Sequence, residues 1–306
     1  MTNHQKEKNN RASLTRFAWL SIAASLVTLV LKSVAYLLTG SVGLLSDAIE
    51  TIANLAAAVM ALGMLTIAAR PADDNHTFGH SKAEYFASVV EGALILAAAF
   101  GIISTAIGRL LNPQPLEQLG VGLVVSALAS GINFFVAQTL LKVGKRENSI
   151  TLEADAHHLM TDVWTSAGVI VGVGLVALTG WEALDSIIAI IMGLNITWTA
   201  IQLIRRSVSG LMDSAISASD LKTIENIMNE YYKQGVEFHA LRTRQSASRR
   251  FVNVHVLVPG NWTVREAHRV ADKFEHDVCR SLPETVINTH IEPKEDEISL
   301  QDINVV

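Results

Sequence analysis

Apolar runs at roughly residues 16–38, 42–69, 86–111, 116–142, 152–178 and 183–204 fill the first two-thirds of the chain. Each meets or exceeds the ~20 residues an α-helix needs to cross a bilayer core. The pattern predicts six membrane-spanning helices. Past residue 212 the texture changes. "ASDLKTIENIMNEYYKQG" has helical spacing, with Ser219 or Asp220 as N-cap and Gly235 as stop. "HALRTRQSASRRFVNVHVLVPG" alternates from Phe251 to Val256 and turns at Ser246 to Ser248, a hairpin pattern. "TVREAHRVADKFEHDVCRSLP" returns to helical spacing, and "TVINTHIEP" reads as a last strand. The order α-β-β-α-β predicts a small open sheet with helices on one face, about 90 residues and able to fold independently.

Composition supports the membrane reading. Half of the 306 residues are hydrophobic, 17% are charged and the mean hydropathy is +0.33, beyond the apolar share of an ordinary soluble domain. The chain divides into a polar tail (1–15), a six-helix transmembrane domain (16–211) and a cytoplasmic domain (212–306). The last holds eleven Lys/Arg and fifteen Asp/Glu, so most of the net charge of −5 lies there. No basic surface argues for nucleic acid. The single cysteine, Cys279, excludes an internal disulfide framework and a cysteine-based zinc knuckle. Neither a phosphate-cradling glycine loop nor a nucleophile elbow occurs, which disfavours an enzyme. Basic residues mark one side of the membrane: Lys6, Lys8, Arg11 and Arg16; Arg70 and Lys82; Lys142, Lys145 and Arg146; Arg205 and Arg206. Residues 39–41 and 179–185 have none, and near the third connection there is only Arg109. Both termini are therefore expected in the cytoplasm, in a multi-pass protein of the cell (inner) membrane.

Ionisable groups inside such helices are expensive and usually functional. In "LLSDAIETIANLAAA", Glu50 and Asn54 are four apart on one helix face, with Asp47 on the same stripe. In "EADAHHLMTDVWTSAG", His158 and Asp162 are also four apart. At ~1.5 Å per residue, Glu50 and Asn54 lie about 15 and 21 Å from the Gly40 turn, and His158 and Asp162 about 12 and 18 Å from Ile150. The four meet near the middle of a ~30 Å core. One imidazole and three oxygen ligands suit a divalent transition ion; the plainer reading is a polar network that joins two helices. Asp47 is expected to pair with Lys32 or to support the ligands from behind, and His157 to support them or to pack.

The connection "ARPADDNHTFGHSKAEYF" offers Asp73, His76 and His80 in the spacing D-x-x-H-x-x-x-H. One carboxylate and two imidazoles from a short turn leave a coordination position open. Asp74, Asn75 and Glu84 read as solvent-facing.

The six-span layout, the paired polar positions on segments two and five, "RPADDNHTFGHSKAE" and "HALRTRQ" together resemble the cation diffusion facilitators, in particular their bacterial zinc- and iron-efflux branch. The resemblance runs from about Phe17 to Pro293. It implies six transmembrane helices followed by a ferredoxin-like α+β cytoplasmic domain, a homodimer in the lipid bilayer, and a metal/proton antiporter that exports metal. It also implies a transport site at Glu50, Asn54, His158 and Asp162 and a second metal site at Asp73, His76 and His80. A binuclear zinc site falls on His239, His255, His268, His290 and Glu292, and a charge pair between Lys82 and Asp213 would lock the dimer. Zn2+ or Fe2+ is then substrate, and Zn2+ a structural or regulatory ion. The second-helix pair departs from the zinc members, which carry Asp at both positions or a His and an Asp. Two other readings stay open: a carrier of a small organic solute whose carboxylates serve only protons, and a membrane-anchored metal sensor or scaffold without transport.

Overall fold

The computed structural model describes residues 3–39, 42–111, 120–181 and 183–299. The side chains of 3–13, 38–39, 42–47, 49–50, 53, 120–123, 169–170, 172–174, 176–177 and 185 are outside that description. Two compact units result, Met1–Val208 and Ser209–Val306. The first contains α1 (Asn3–Thr39), α2 (Val42–Ala68), α3 (Ala83–Leu111), α4 (Gly120–Glu147), α5 (Ile150–Thr179) and most of α6 (Ala183–Leu211). Among the described residues four stretches are long and apolar enough to cross a membrane: Leu14–Leu37, Ala83–Leu111, Val124–Glu147 and Ser186–Leu211. The described apolar part of α2, Asn54–Ala68, is shorter. Acidic groups and histidines interrupt α5.

The surface of this unit inverts the soluble pattern. Phe100, Phe135 and Leu178 are largely exposed, while Ser21, Ser88, Asn133 and Thr151 are buried. Lipid solvates the apolar outer faces, and the polar groups turn inward to find partners. α1 packs against α2 and α4, α4 against α5, and α3 and α2 both against α5. Small side chains bring the backbones close: Ala18 and Ala24 of α1, Ala137 of α4 and Ala156 of α5 share a buried cluster with Leu140, Leu152 and Leu159. Glycine does the same for α6. A Cβ added at Gly92 would come within 2.6 Å of Ile204, and one at Gly193 within 2.5 Å of Ile103.

The second unit runs α7 (Ala218–Tyr232), β1 (Glu237–Ser246), β2 (Arg249–Val258), α8 (Val264–Ser281) and β3 (Thr285–Pro293). This is the order read from the sequence, in an α+β arrangement. The sheet order is β1-β2-β3, antiparallel between the first two and parallel between the last two. Alternation along β2 points Val252, Val254, Val256 and Val258 at Ile224 and Met228 of α7 and at Phe274 and Val278 of α8. The other face, which carries Asn253 and His255, is turned away from the helices. The N-cap of α7 is Ser217, two or three residues earlier than expected, because its hydroxyl reaches the Asp220 amide at 3.1 Å. Gly235 takes φ 83°, as a stop requires.

Candidate metal centres

α2 packs on α5, which brings Asn54, His158 and Asp162 together. Asn54 Nδ2 donates to Asp162 Oδ2 at 2.5 Å, and His158 Nε2 lies 2.6 Å from Asn54 Oδ1. The chemistry assigns the roles. A carboxylate only accepts, so the amide nitrogen faces Asp162; the amide oxygen then faces the imidazole, whose Nε2 must carry a hydrogen. Among the described residues His158 Nδ1 is buried with no hydrogen-bond partner. A fourth group joins from α4: Asn133 Nδ2 donates to the same Asp162 oxygen at 3.1 Å, and its own Oδ1 is buried without a partner among the described residues. Sequence reasoning passed over Asn133, although an amide inside the apolar "ALASGINFFVAQ" was a usable signal. The expected ligand Glu50 and its neighbour Asp47 have side chains outside the described residues. Lys32 is buried in α1, and His157 is part-buried one position off the ligand stripe.

On the α2–α3 connection Asp73, His76 and His80 offer ligand atoms all within 4.8 Å of one another. The loop builds this arrangement from its own backbone. Asp73 and His76 exchange main-chain hydrogen bonds at 3.2 and 3.3 Å, and Asp73 Oδ1 accepts from the amides of His76 (2.7 Å) and Asn75 (3.0 Å). Gly79 adopts φ 82°, a conformation open to glycine, and turns the chain so that the His80 ring lies 4.4 Å from that of His76. His80 Nε2 is 3.4 Å from Asp73 Oδ2 and His76 Nδ1 is 3.3 Å from Asp73 Oδ1. The His76 amide holds the Asp73 carboxyl below its usual range, so the group is an anion at neutral pH. An ion with bonds of ~2.1 Å keeps its ligand atoms within ~4.2 Å, and only a small closing movement separates this cluster from that geometry.

The third cluster lies on the helix-free face of the sheet. Register places His239 opposite His255 in the antiparallel pair and His255 beside His290 in the parallel pair. Glu292, buried at 7% exposure, is the carboxylate they share: its oxygens lie 2.7 Å from His239 Nε2, 3.1 Å from His255 Nδ1 and 3.5 Å from His290 Nε2. The tightest group is His239, His255 and Glu292. His268 is exposed on α8, whose packed side meets the opposite face of the sheet, and is not part of this cluster. Asp213 accepts from Arg244 at 3.2 Å within its unit.

One expectation is overturned. Glu84 does not face solvent: it is 2% exposed and accepts from Ser149 Oγ at 2.5 Å, while its carbonyl accepts from Thr151. α3 and the start of α5 meet there, so the first turn of α3 turns its carboxylate inward.

An integral membrane helix unit with a polar centre between α2 and α5, joined to a small α+β unit with a histidine–carboxylate cluster, is the plan of a metal-handling membrane protein. Residues 18–212 match the cation efflux transmembrane domain and residues 216–294 the cation efflux protein cytoplasmic domain. The chain belongs to the cation efflux family, the cation diffusion facilitators, and its class is that of transporters. It is 49% identical over 285 residues to an uncharacterized transporter of Synechocystis sp. strain PCC 6803, covering 93% of this chain and 92% of that one. It is 31% identical to the cation-efflux pump FieF of Citrobacter koseri, covering 89% and 90%. A solved structure of CzrB in its zinc form matches 27% of this chain and 93% of its own, at 29% identity and a TM-score of 0.26.

Proposed function

We propose that this protein is a divalent-metal/proton antiporter that exports zinc, ferrous iron or a similar ion from the cytoplasm as a homodimer. The observation that carries the reading is the Asn54–His158–Asp162 chain between α2 and α5. Asn54 bridges the imidazole and the carboxylate. An ion that takes His158 Nε2 and Asp162 would displace that bridge, and the Nε2 hydrogen would pass to Nδ1 as the neutral ring changes tautomer; protons that the site holds beforehand would leave as the ion binds. Protons arriving from the opposite side reverse it, and the helices rock around the fixed site. Glu50 adds a further carboxylate to the set.

The loop cluster then serves metal entry or loop order. The sheet cluster binds regulatory zinc at a subunit boundary, where His268 reaches it from the second protomer, and Lys82 and Asp213 lock the dimer. Both termini stay in the cytoplasm and the chain crosses the inner membrane six times. The competing reading, a metal sensor without transport, draws on the His239–His255–Glu292 cluster.

Metal-driven proton flux in proteoliposomes separates the two. Wild type exchanges metal for protons; Asp162→Ala and His158→Ala do not; His76→Ala retains measurable exchange. The variants are compared only at equal insertion and dimer content. Exchange at the wild-type rate in Asp162→Ala defeats the assignment of this site.

A further inference from the structure

Two carboxyl groups of the membrane-spanning unit take no part in the centres above. Glu91 of α3 is fully enclosed, and among the described residues neither carboxylate oxygen has a hydrogen-bond partner. Asp155 of α5 is 2% exposed; its Oδ1 accepts from Ser21 of α1 at 2.9 Å, and among the described residues its Oδ2 has no partner. α3 packs on α5, and the contacts of Glu84 with Ser149 and Thr151 set the register: Glu91 lies two turns beyond Glu84, and Asp155 about one turn beyond Thr151.

Among the described residues neither carboxyl forms an ion pair. Beside Glu91, Gly92 faces Ile204 and the Ala200 carbonyl of α6. The amides of α2 and α4, Asn54 and Asn133, are turned to Asp162. On α5 itself His158 is engaged with Asn54, and His157 follows Asp155 by two residues. Among the described residues the Ser21 hydroxyl is the hydrogen-bond donor to Asp155, and Glu91 has none.

Two ionised carboxylates enclosed in this way, with one hydroxyl donor that serves Asp155 alone, would carry a heavy desolvation penalty. A positive charge must accompany them when α3 and α5 are closed on each other. A divalent transition ion needs about four ligands, more than two carboxylates and a committed serine supply in a place that solvent does not reach. A proton needs one oxygen.

We propose that Glu91 and Asp155 form a proton-binding site of their own, one helical turn along α5 from the Asn54–His158–Asp162 centre, and that it carries a proton through the transport cycle. The carrying role rests on the antiport reading; the binding does not.

The test uses the full chain, metal-free, in lipid nanodiscs at neutral pH. Infrared difference spectra of wild type against the near-isosteric Glu91→Gln and Asp155→Asn should show a protonated-carboxyl stretch that one or both variants lose. Spectra unchanged in both variants overturn the site. Loss of a bound Zn2+ equivalent in Glu91→Gln, measured by calorimetry, makes it a metal site and also overturns the proposal. In proteoliposomes Glu91→Gln should move one proton fewer per metal ion, and an unchanged ratio removes the carrying role. A wild type that moves no protons against metal defeats the antiport reading and leaves the infrared result standing.

Discussion

Asn54 stands where an anionic ligand would be expected, and both of its amide atoms are engaged with the other residues of the proposed metal site. A neutral oxygen lowers the charge a bound ion meets, and carbonyl ligands suit harder ions than imidazole does. Asn54→Asp restores a second carboxylate to α2 beside Glu50. It should shift preference toward zinc or cadmium relative to iron or manganese. Competition transport assays on both proteins read this directly, and an unchanged order shows that Asn54 does not set ion choice. The meeting of Asn54 with His158 and Asp162 was legible because i, i+4 spacing and depth can be counted along a helix. Asn133, Glu91 and Asp155 were not assembled with their neighbours, because their roles depend on which helix faces which, and a linear pattern does not encode that.

Among the elements, α8 has the most complete terminus. Thr263 caps it, with its Oγ1 accepting from the Glu266 amide while the Glu266 carboxylate accepts from the Thr263 amide and hydroxyl. Thr263→Ala should cost about 1 kcal/mol, measured by denaturation of the 209–306 unit, which has its own core around Phe274. The Thr263 amide, and then its hydroxyl, lower the Glu266 carboxyl below its ordinary value. Stabilisation from this group is therefore complete above the unfolded value and fades as pH falls through the folded one. The stability gap between wild type and Glu266→Ala should be present at neutral pH and close in acid; a gap independent of pH would exclude the carboxylate as its source. Alternation and capping signals made these elements readable in advance, with an error of two or three residues at the start of α7. The burial of Glu84 was not readable, since it needs Ser149 from the α4–α5 connection 65 residues away.

At the scale of the molecule, the proposed ligands gathered on one face of a small sheet would tie metal occupancy to association. In the 209–306 unit, zinc should strengthen self-association, and His255→Ala with His290→Ala should abolish the effect in sedimentation. A fragment whose association ignores zinc removes the regulatory role. One ion pair extends the consequence. Arg206 Nη1 lies 2.5 Å from Glu153 Oε2, with Nη2 3.3 Å from the other oxygen. The first unit ends two residues later, at Val208. The pair therefore rivets the end of α6 to α5 inside the first unit, about 7.5 Å of helix before His158. Arg206→Ala should slacken α6 against α5 at that point, which faster amide exchange in both helices would report.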